Sequence, residues 1–166
     1  MVIRSILMKY RKLSLEELDE LKSEFINFLA VNGIAADDWQ RIQKEDQAKH
    51  DEMIVTFSDM VMEKVLSNIT FLEHKTSDSI MLFACQEDKL LLTSINIKTG
   101  TGVDFDDPKS IDILLSTDQV KDDTLSFFKT EKPYQKERSS EIFDLTEQGC
   151  MVITEEYYNN LASLVK

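Results

Sequence analysis

Two apolar segments in the middle of the chain constrain the fold more than any other feature. Ile80–Cys85 and Leu90–Ile97 are each of strand length and rich in β-forming residues, and the polar residues 86–89 separate them. Two such segments joined by a short polar loop predict a β-hairpin. In the second strand, alternate residues such as Ile95 and Ile97 point the same way, so one face of the hairpin needs a cover. Amphipathic helices predicted on either side of it in sequence can supply that cover.

The first helix has clear start and end signals. Ser14 and Glu17 form a capping box, in which the Ser14 hydroxyl accepts from the Glu17 backbone N–H and the Glu17 carboxylate reaches back to Ser14. Leu18–Leu29 carries apolar residues at three- and four-residue spacing, which is typical of a helix with one buried face. Gly33 suits a left-handed helix cap, and Ile34 suits the apolar contact that follows such a cap.

Two more helices and a strand are predicted before the hairpin. Asp37 or Asp38 caps a second helix, and the polar residues around Asp46 indicate a break. A third helix, with apolar residues at helical spacing, ends near Asn68. Residues 69–74 then alternate in polarity and predict a strand, which completes a three-stranded antiparallel meander with the hairpin.

The segment after the hairpin predicts a loop followed by further helices and strands. The loop covers residues 99–108, and Asp107 caps a helix whose first residue is Pro108. The other predicted elements are a helix face at Ile111, Leu114 and Leu115, a strand over 125–130, a helix capped by Ser139 or Ser140 and closed by Gly149, a short extended piece over 150–153, and a last helix begun by Thr154.

Together these elements predict an α+β fold in which N-terminal helices are packed on an antiparallel sheet of about four strands, with a helical C-terminus. A chain of 166 residues is long enough to bury such a core without disulfides. We place a basic N-terminal arm over residues 1–13 and a single α+β domain over 14–166. Met8 is itself a candidate start, in which case residues 1–7 are an upstream extension.

The net charge of −12 limits the classes of partner. The first 13 residues hold four basic side chains and no acidic one, so the remaining residues carry −16. A body this acidic repels phosphate backbones and anionic lipid. We therefore expect no membrane partner, and no nucleic-acid partner unless the short basic arm binds one alone. The expected partner is another protein or a second copy of the chain, which would make a homodimer.

The cysteines and the hydropathy pattern favour the cytoplasm. Cys85 and Cys150 both lie in apolar segments, which predicts two buried, reduced thiols. No apolar run approaches the ~18 residues that a membrane span needs. Met1–Leu7 is too short for the apolar part of a signal peptide and is interrupted by Arg4.

The acidic loop is the one segment with a metal-ligand composition. Asp104, Asp106 and Asp107 lie close together in sequence and could bind a divalent cation. An EF-hand loop beginning at Asp104 would place Lys109 where glycine is required and Leu115 where a bidentate glutamate is required. The EF-hand motif therefore fails, and the three aspartates stay a weak alternative to a plain solvated loop.

Other catalytic and cofactor motifs are missing from the sequence. Gly100 and Gly102 lack the third glycine of a dinucleotide-binding fingerprint, and no Lys-Ser or Lys-Thr follows them. There is no Gly-x-Ser-x-Gly segment. His50 and His74 stand at no zinc-ligand spacing from each other or from a cysteine. No catalytic residue and no cofactor are predicted, and the balance is against an enzyme.

Three aromatic residues are candidates for a partner-binding surface. Trp39 lies near the start of a largely polar helix, and Tyr157 and Tyr158 are adjacent on the last helix, so both cannot face inward. Exposed Trp and Tyr side chains often anchor a partner. The alternative is that Trp39 closes the edge of a core and that Tyr158 is an ordinary surface residue with a hydrated hydroxyl.

Three segments resemble a known family. They are residues 8–14 (MKYRKLS), residues 24–30 (EFINFLA), and Phe57-Ser58-Asp59 followed by residues 63–66 (EKVL). In these segments the chain is similar to a domain-of-unknown-function family of small acidic bacterial proteins found in Bacteroidota. The resemblance runs from about residue 8 to the end and agrees with Met8 as the family's start. It implies no activity, cofactor or catalytic residue.

The sequence favours a non-catalytic cytoplasmic interaction or regulatory module that self-associates through a sheet edge or a helix face. Two alternatives stay open. One is a small divalent-metal enzyme that uses Asp104, Asp106 and Asp107 with a carboxylate from elsewhere. The weaker one is an acidic mimic of nucleic acid that occupies a basic groove on another protein.

Overall fold

The structure, a computed structural model, describes residues 7–98, 100–116 and 124–165. The chain divides into two compact units, one comprising the described residues up to Val65 and the other those from Leu66 onward. The α+β class is confirmed, with helices in the N-terminal part, an antiparallel sheet and a helical C-terminus. The sheet has five strands instead of about four. The covering of the sheet by the N-terminal helices stays a prediction.

The first unit is helical, and its capping box is confirmed. Its helices are α1 (Leu15–Glu20), α2 (Lys22–Val31), α3 (Ala36–Glu45) and α4 (Gln47–Ser67). Ser14 Oγ accepts from the Glu17 N–H at 3.2 Å, and Glu17 Oε2 accepts from the Ser14 N–H at 2.7 Å. The predicted single helix is interrupted at Leu21, which separates α1 from α2.

The ends of α2 and α3 follow from backbone geometry. Gly33 has φ +73°, and Ile34 donates to the carbonyl of Leu29 at 2.9 Å, which is the predicted left-handed cap. The cap prediction for α3 was wrong by two or three residues. Ala35 is the N-cap and has no side-chain acceptor, while Asp37 and Asp38 lie in the first turn. There the two carboxylates still face the positive end of the helix dipole.

An aromatic cluster forms the core of the first unit. The Phe57 side chain is fully buried, and its ring centroid lies 4.9 Å from that of Phe25 and 5.4 Å from that of Phe28. Leu29 and Ile34 are buried beside them. The three- and four-residue spacing of the α2 apolar residues places them on one side of the helix, where they meet α4.

The second unit contains the sheet. Its elements are β1 (Phe71–Lys75), β2 (Ser79–Cys85), β3 (Lys89–Ile97), α5 (Pro108–Ser116), β4 (Leu125–Pro133), α6 (Arg138–Glu147), β5 (Met151–Val152) and α7 (Glu155–Ala162). All strand pairs are antiparallel, and the strand order is β4-β3-β2-β1-β5. The predicted hairpin is β2 and β3, the pair at the centre of the sheet.

The face of the sheet that carries Ile80, Leu82 and Ile95 is covered by elements that follow it in sequence. We call it the first face. Its core comprises Ile80, Leu82, Ile95, Phe105, Ile111, Leu125, Leu161 and Val165. The loop before α5, α5 itself and α7 therefore supply the cover. Leu114, which the sequence placed on the apolar side of α5, lies outside the described side chains, as do residues 117–123.

The start of α6 differs from the prediction. Its N-cap is Glu137, so neither Ser139 nor Ser140 caps the helix, and Ser139 is instead buried in the first turn. At the other end of this segment, Gly149 has φ +96° and closes α6 as predicted. Thr154 caps α7 as predicted, with its hydroxyl accepting from the N–H of Tyr157 at 3.2 Å.

Arg138 in the first turn of α6 connects separated segments of the second unit. Its Nη2 donates to the carbonyls of Ile69 at 2.5 Å and Cys85 at 2.9 Å. Its Nη1 donates to Ser67 at 3.2 Å, and its Nε to Gln86 at 3.0 Å. These carbonyls belong to the end of α4, the approach to β1, the last residue of β2 and the turn that follows it. A planar guanidinium with five N–H donors can serve all of them at once.

Replacing Arg138 with Gln should lower the free energy of unfolding by about 2–4 kcal/mol, because the part-buried carbonyls of Ile69 and Cys85 lose a charged donor. Urea unfolding of the full chain measures this. Arg138→Lys is the matched variant, since it keeps the charge but cannot reach separated carbonyls, and its loss should be intermediate. A loss below about 0.5 kcal/mol for Arg138→Gln, the scale of a surface substitution, would contradict this role.

Glu17 should contribute a small stability term that depends on pH. The Arg11 guanidinium and the Ser14 backbone N–H lower the pKa of Glu17 to about 2. A lowered pKa means that the contribution is complete above the ordinary value near 4.5 and disappears as pH falls towards 2. Glu17→Gln keeps the capping hydrogen bond but loses the ion pair. It should cost about 0.5 kcal/mol at neutral pH, because the pair is partly exposed.

Thermal unfolding of Glu17→Gln at a series of pH values tests this expectation. The difference from the unmodified chain should close between pH 4.5 and 2. Glu16→Gln is the control, because it removes the same charge from the same helical turn without removing the partner of Arg11. A difference that is constant across this range would show that the Arg11 pair contributes nothing to stability.

Candidate functional site

The outer edge of β4 is the candidate functional surface of the second unit. Among the described residues, β4 pairs with β3 on one side and with no strand on the other. Its register with β3 is unbroken over nine residue pairs, from Lys89 opposite Pro133 to Ile97 opposite Leu125. A long strand without a bulge presents a regular row of backbone donors and acceptors, which is a template for another strand.

The hydrogen-bond pattern shows which groups of β4 point outward. Lys98 donates to Thr124 at 2.9 Å, while Ile97 donates to Asp78 on the opposite side of β3 at 2.8 Å. In an antiparallel pair, opposite residues exchange both hydrogen bonds or neither, and the two cases alternate. The register therefore directs the backbone groups of Ser126, Phe128, Thr130 and Lys132 to β3, and those of Leu125, Phe127, Lys129 and Glu131 to the open edge.

The side chains of β4 alternate between the two faces of the sheet. Lys129 and Glu131 share the first face, where Lys129 Nζ donates to the carbonyl of Val165 at 3.2 Å and Glu131 pairs with Lys89 at 2.8 Å. Phe128 lies on the opposite, second face and is 56% exposed. Pro133 ends the strand, and its missing N–H would have pointed outward, which is the usual place for an edge proline.

A cleft of about 430 Å³ lies beside β4 on the second face, between the sheet and α6. Its apolar floor is formed by Phe83, Leu90, Leu92 and Leu145. Its rim carries two ion pairs, Lys132 with Glu141 at 3.5 Å and Lys136 with Asp144 at 2.8 Å. Because the rim charges are already paired, the cleft suits an apolar group better than a free ion.

Glu141 is anchored at the rim of this cleft. Its carboxylate accepts from the backbone N–H groups of Gln135 and Lys136 as well as from Lys132. Burial opposes ionisation of this carboxyl, but the two backbone donors and Lys132 outweigh it and hold the pKa of Glu141 below its usual value. The carboxylate therefore fixes the loop before α6 and is fully occupied in doing so.

The acidic loop does not gather its aspartates into a metal site. Asp104 Oδ1 accepts from the N–H of Asp106 at 2.8 Å, and Asp107 Oδ1 accepts from the N–H of Lys109 at 3.0 Å. The second contact caps α5, as the sequence predicts for a helix that begins at Pro108. Within residues 7–98, 100–116 and 124–165, no three His, Cys, Asp or Glu side chains are grouped so that they could hold a metal ion.

The cysteines and histidines lie outside strand β4. Cys85 and Cys150 are both free and buried, as predicted. Burial raises the pKa of Cys85 to about 11, and it also raises the pKa of Cys150. The ring of His50 stacks on Trp39, with centroids 5.1 Å apart. His74 Nδ1 is buried and has no hydrogen-bond partner in the described part of the chain.

The three aromatic residues proposed as an interface are partly buried and packed within their own units. Trp39 meets Phe25 edge-on at 5.3 Å in the first unit. In the second unit, Tyr158 stacks on Phe71 at 4.5 Å. Burial raises the pKa of the Tyr157 hydroxyl, and a hydrogen bond to Glu73 raises it further. Trp39 belongs to the first unit and Tyr157 and Tyr158 belong to the second, and their role as partner anchors stays a prediction.

Two of the segments that carry the family resemblance meet in the first unit. Asp59 accepts from the backbone N–H groups of Lys9 and Tyr10 at 2.8 and 3.0 Å. The Tyr10 hydroxyl donates to Glu63 at 2.5 Å, and the N–H of Leu13 donates to the buried hydroxyl of Ser58 at 3.0 Å. The described part of the predicted basic arm is therefore bound along α4. The sequence of the arm has no helix or strand periodicity and did not indicate this contact.

The fold defines the class of the protein, an α+β protein whose described sheet ends in a nine-residue strand that is paired on one side only. The chain belongs to a family of unknown function (DUF6495), whose model matches residues 8–166. The match confirms the predicted resemblance to a family of unknown function and its extent from residue 8. Comparison with curated proteins and with solved structures finds no match. In the described part of the chain, every helix is too short or too polar to cross a membrane.

Both thiols should react slowly in the native protein. Burial limits reagent access and, by raising the pKa of Cys85 to about 11, keeps that thiol protonated at neutral pH. Titration with Ellman's reagent should give less than about a tenth of the rate seen after unfolding in guanidinium. The control is the same assay in denaturant, where both thiols should react. Fast native reaction of either cysteine would contradict the buried placement.

Proposed function

We propose that this protein is a non-catalytic cytoplasmic interaction module that self-associates by strand pairing at the β4 edge. One observation supports the proposal above the others. The outward N–H and C=O groups of Leu125, Phe127, Lys129 and Glu131 form a continuous row, and no described strand pairs with them. Backbone groups of this kind supply the affinity when a strand is added to a sheet.

The side chains of β4 favour pairing with β4 of a second copy over pairing with a strand of an unrelated protein. Lysine on an open edge normally discourages pairing, because like charges repel. Here Glu131 follows Lys129 at a spacing of two, so the same strand carries both charges on one face. An antiparallel second copy can place each lysine opposite a glutamate, and cross-strand pairs of opposite charge stabilise a sheet. The strand is thus self-complementary, the property that a symmetric dimer interface requires.

Lys129→Pro tests the backbone contribution. The N–H of Lys129 points outward, so proline removes it without removing a hydrogen bond to β3. The dimer dissociation constant should rise at least about tenfold, since each of two symmetric sites loses a hydrogen bond worth about 1 kcal/mol. Sedimentation velocity over a range of micromolar concentrations measures this change, and circular dichroism checks that the fold is retained.

Lys129→Ala is the matched control, because it removes the charge but keeps the N–H. It should weaken the dimer less than Lys129→Pro does. If Lys129→Pro does not fold, Glu131→Pro gives a second test, since the N–H of Glu131 also points outward. An unmodified chain that stays monomeric over the whole concentration range would refute the proposal. So would a folded Lys129→Pro variant that dimerises as well as the unmodified chain.

A further inference from the structure

We infer the register of this pairing, an inference that rests on the proposed self-association. Two β4 strands pair antiparallel around a twofold axis that passes through Thr130. In that register Lys129 of each copy lies opposite Glu131 of the other, and Phe128 lies opposite Lys132. The Phe128 side chain of the second copy then lies beside the cleft between the sheet and α6.

The backbone restricts where the axis can lie. In a symmetric antiparallel pair, residues equally far from the axis on the two strands face each other. An axis between two residues would place an outward-pointing residue opposite one whose groups already bond to β3, so no ladder could form. The axis must therefore pass through a residue of the strand.

The charges on β4 then determine which residue the twofold axis passes through. An axis at Lys129 places two lysines directly opposite each other, and an axis at Glu131 does the same with two glutamates, both of which are unfavourable. An axis at Phe128 places Lys129 opposite Phe127 and leaves the charges without cross-strand partners. An axis at Thr130 forms two Lys129–Glu131 pairs, and both lie at positions whose backbone groups point outward. This register alone satisfies the ladder and the charges together.

On the first face of the sheet, the intermolecular pair extends an existing ion pair. Glu131 already lies 2.8 Å from Lys89 of its own chain. The second copy's Lys129 would approach the same carboxylate from the other side. One carboxylate between two ammonium groups keeps its charge compensated in both the monomer and the dimer.

On the second face, the register accounts for an exposed aromatic residue. Phe128 is 56% exposed in the single chain. In the dimer it lies one strand spacing, about 4.8 Å, from Lys132, which forms part of the cleft wall. Leu90 on the cleft floor is the next residue in the same cross-strand row. A phenyl ring is long enough to cover the aliphatic part of Lys132 and reach towards Leu90.

Site-specific disulfides test this register. Thr130 would face its own symmetry mate in a pair without mutual hydrogen bonds, where Cα atoms lie about 4.5 Å apart and a disulfide fits. Thr130→Cys should therefore form a covalent dimer rapidly under mild oxidation. Phe128→Cys is the matched variant, because in this register the two thiols lie four residues apart along the strand, roughly 13 Å, and should not join. The unmodified chain, with Cys85 and Cys150 buried, gives the background.

A charge exchange provides a second readout. Lys129→Glu should raise the dimer dissociation constant roughly tenfold or more, since it places two glutamates opposite each other at two sites. The double variant with Lys129→Glu and Glu131→Lys should restore dimerisation, because the exchanged charges again face each other. Phe128→Ala should weaken the dimer without affecting this restoration, as it acts on the other face of the sheet.

The outcomes separate the register from the proposed function. Crosslinking of Thr130→Cys together with recovery by the double variant supports the inference. Faster crosslinking of Phe128→Cys than of Thr130→Cys overturns the register but leaves pairing at β4 in place. The same holds if neither cysteine variant crosslinks while Lys129→Pro still disrupts a dimer. A chain that never dimerises overturns both.

Discussion

The guanidinium group of Arg138 connects separate segments of the second unit by hydrogen bonds. The carbonyls that Arg138 binds lie where a helix ends, where a strand has not yet begun, and where a hairpin turns. At such positions the regular backbone ladder offers few donors, and Arg138 supplies them to the part-buried carbonyls of Ile69 and Cys85. Because Arg138 is itself in the first turn of α6, the same contacts fix that helix against the sheet. The cleft beside β4 exists because α6 is held there.

The open edge follows from the strand order, in which β4 is the last described strand on its side of the sheet. The elements before and around α5, together with α7, lie on the first face, while α6 lies on the second. β3 is enclosed by β2 and β4, but β4 has a described partner on one side only. The covering of the faces leaves the outward N–H and C=O groups of β4 able to bond to a strand of another chain. The proposed self-association uses this property and needs no reaction centre.

The secondary structure was largely predictable from local signals, and the candidate site was not. The capping box at Ser14, the hairpin and the Gly33 cap depend on residues close in sequence, and all three are confirmed. The caps of α3 and α6 were misplaced, because Ala35 and Glu137 make no side-chain cap hydrogen bond and a side-chain signal therefore does not mark them. Trp39, Tyr157 and Tyr158 were proposed as an interface because of their residue type. The exposure of Phe128 was missed, because the sequence predicts only that it lies in a strand.

Residue order alone settled which segments become helices and which become strands, because apolar periodicity and caps act over a few residues. It also indicated family membership through short local segments. Only the three-dimensional arrangement decided which strand lies at the edge, which of its backbone groups point outward, and which carbonyls meet Arg138. These properties depend on contacts between residues far apart in the chain, such as Arg138 and Ile69. No local pattern encodes such a contact, since both partners look ordinary within their own segments.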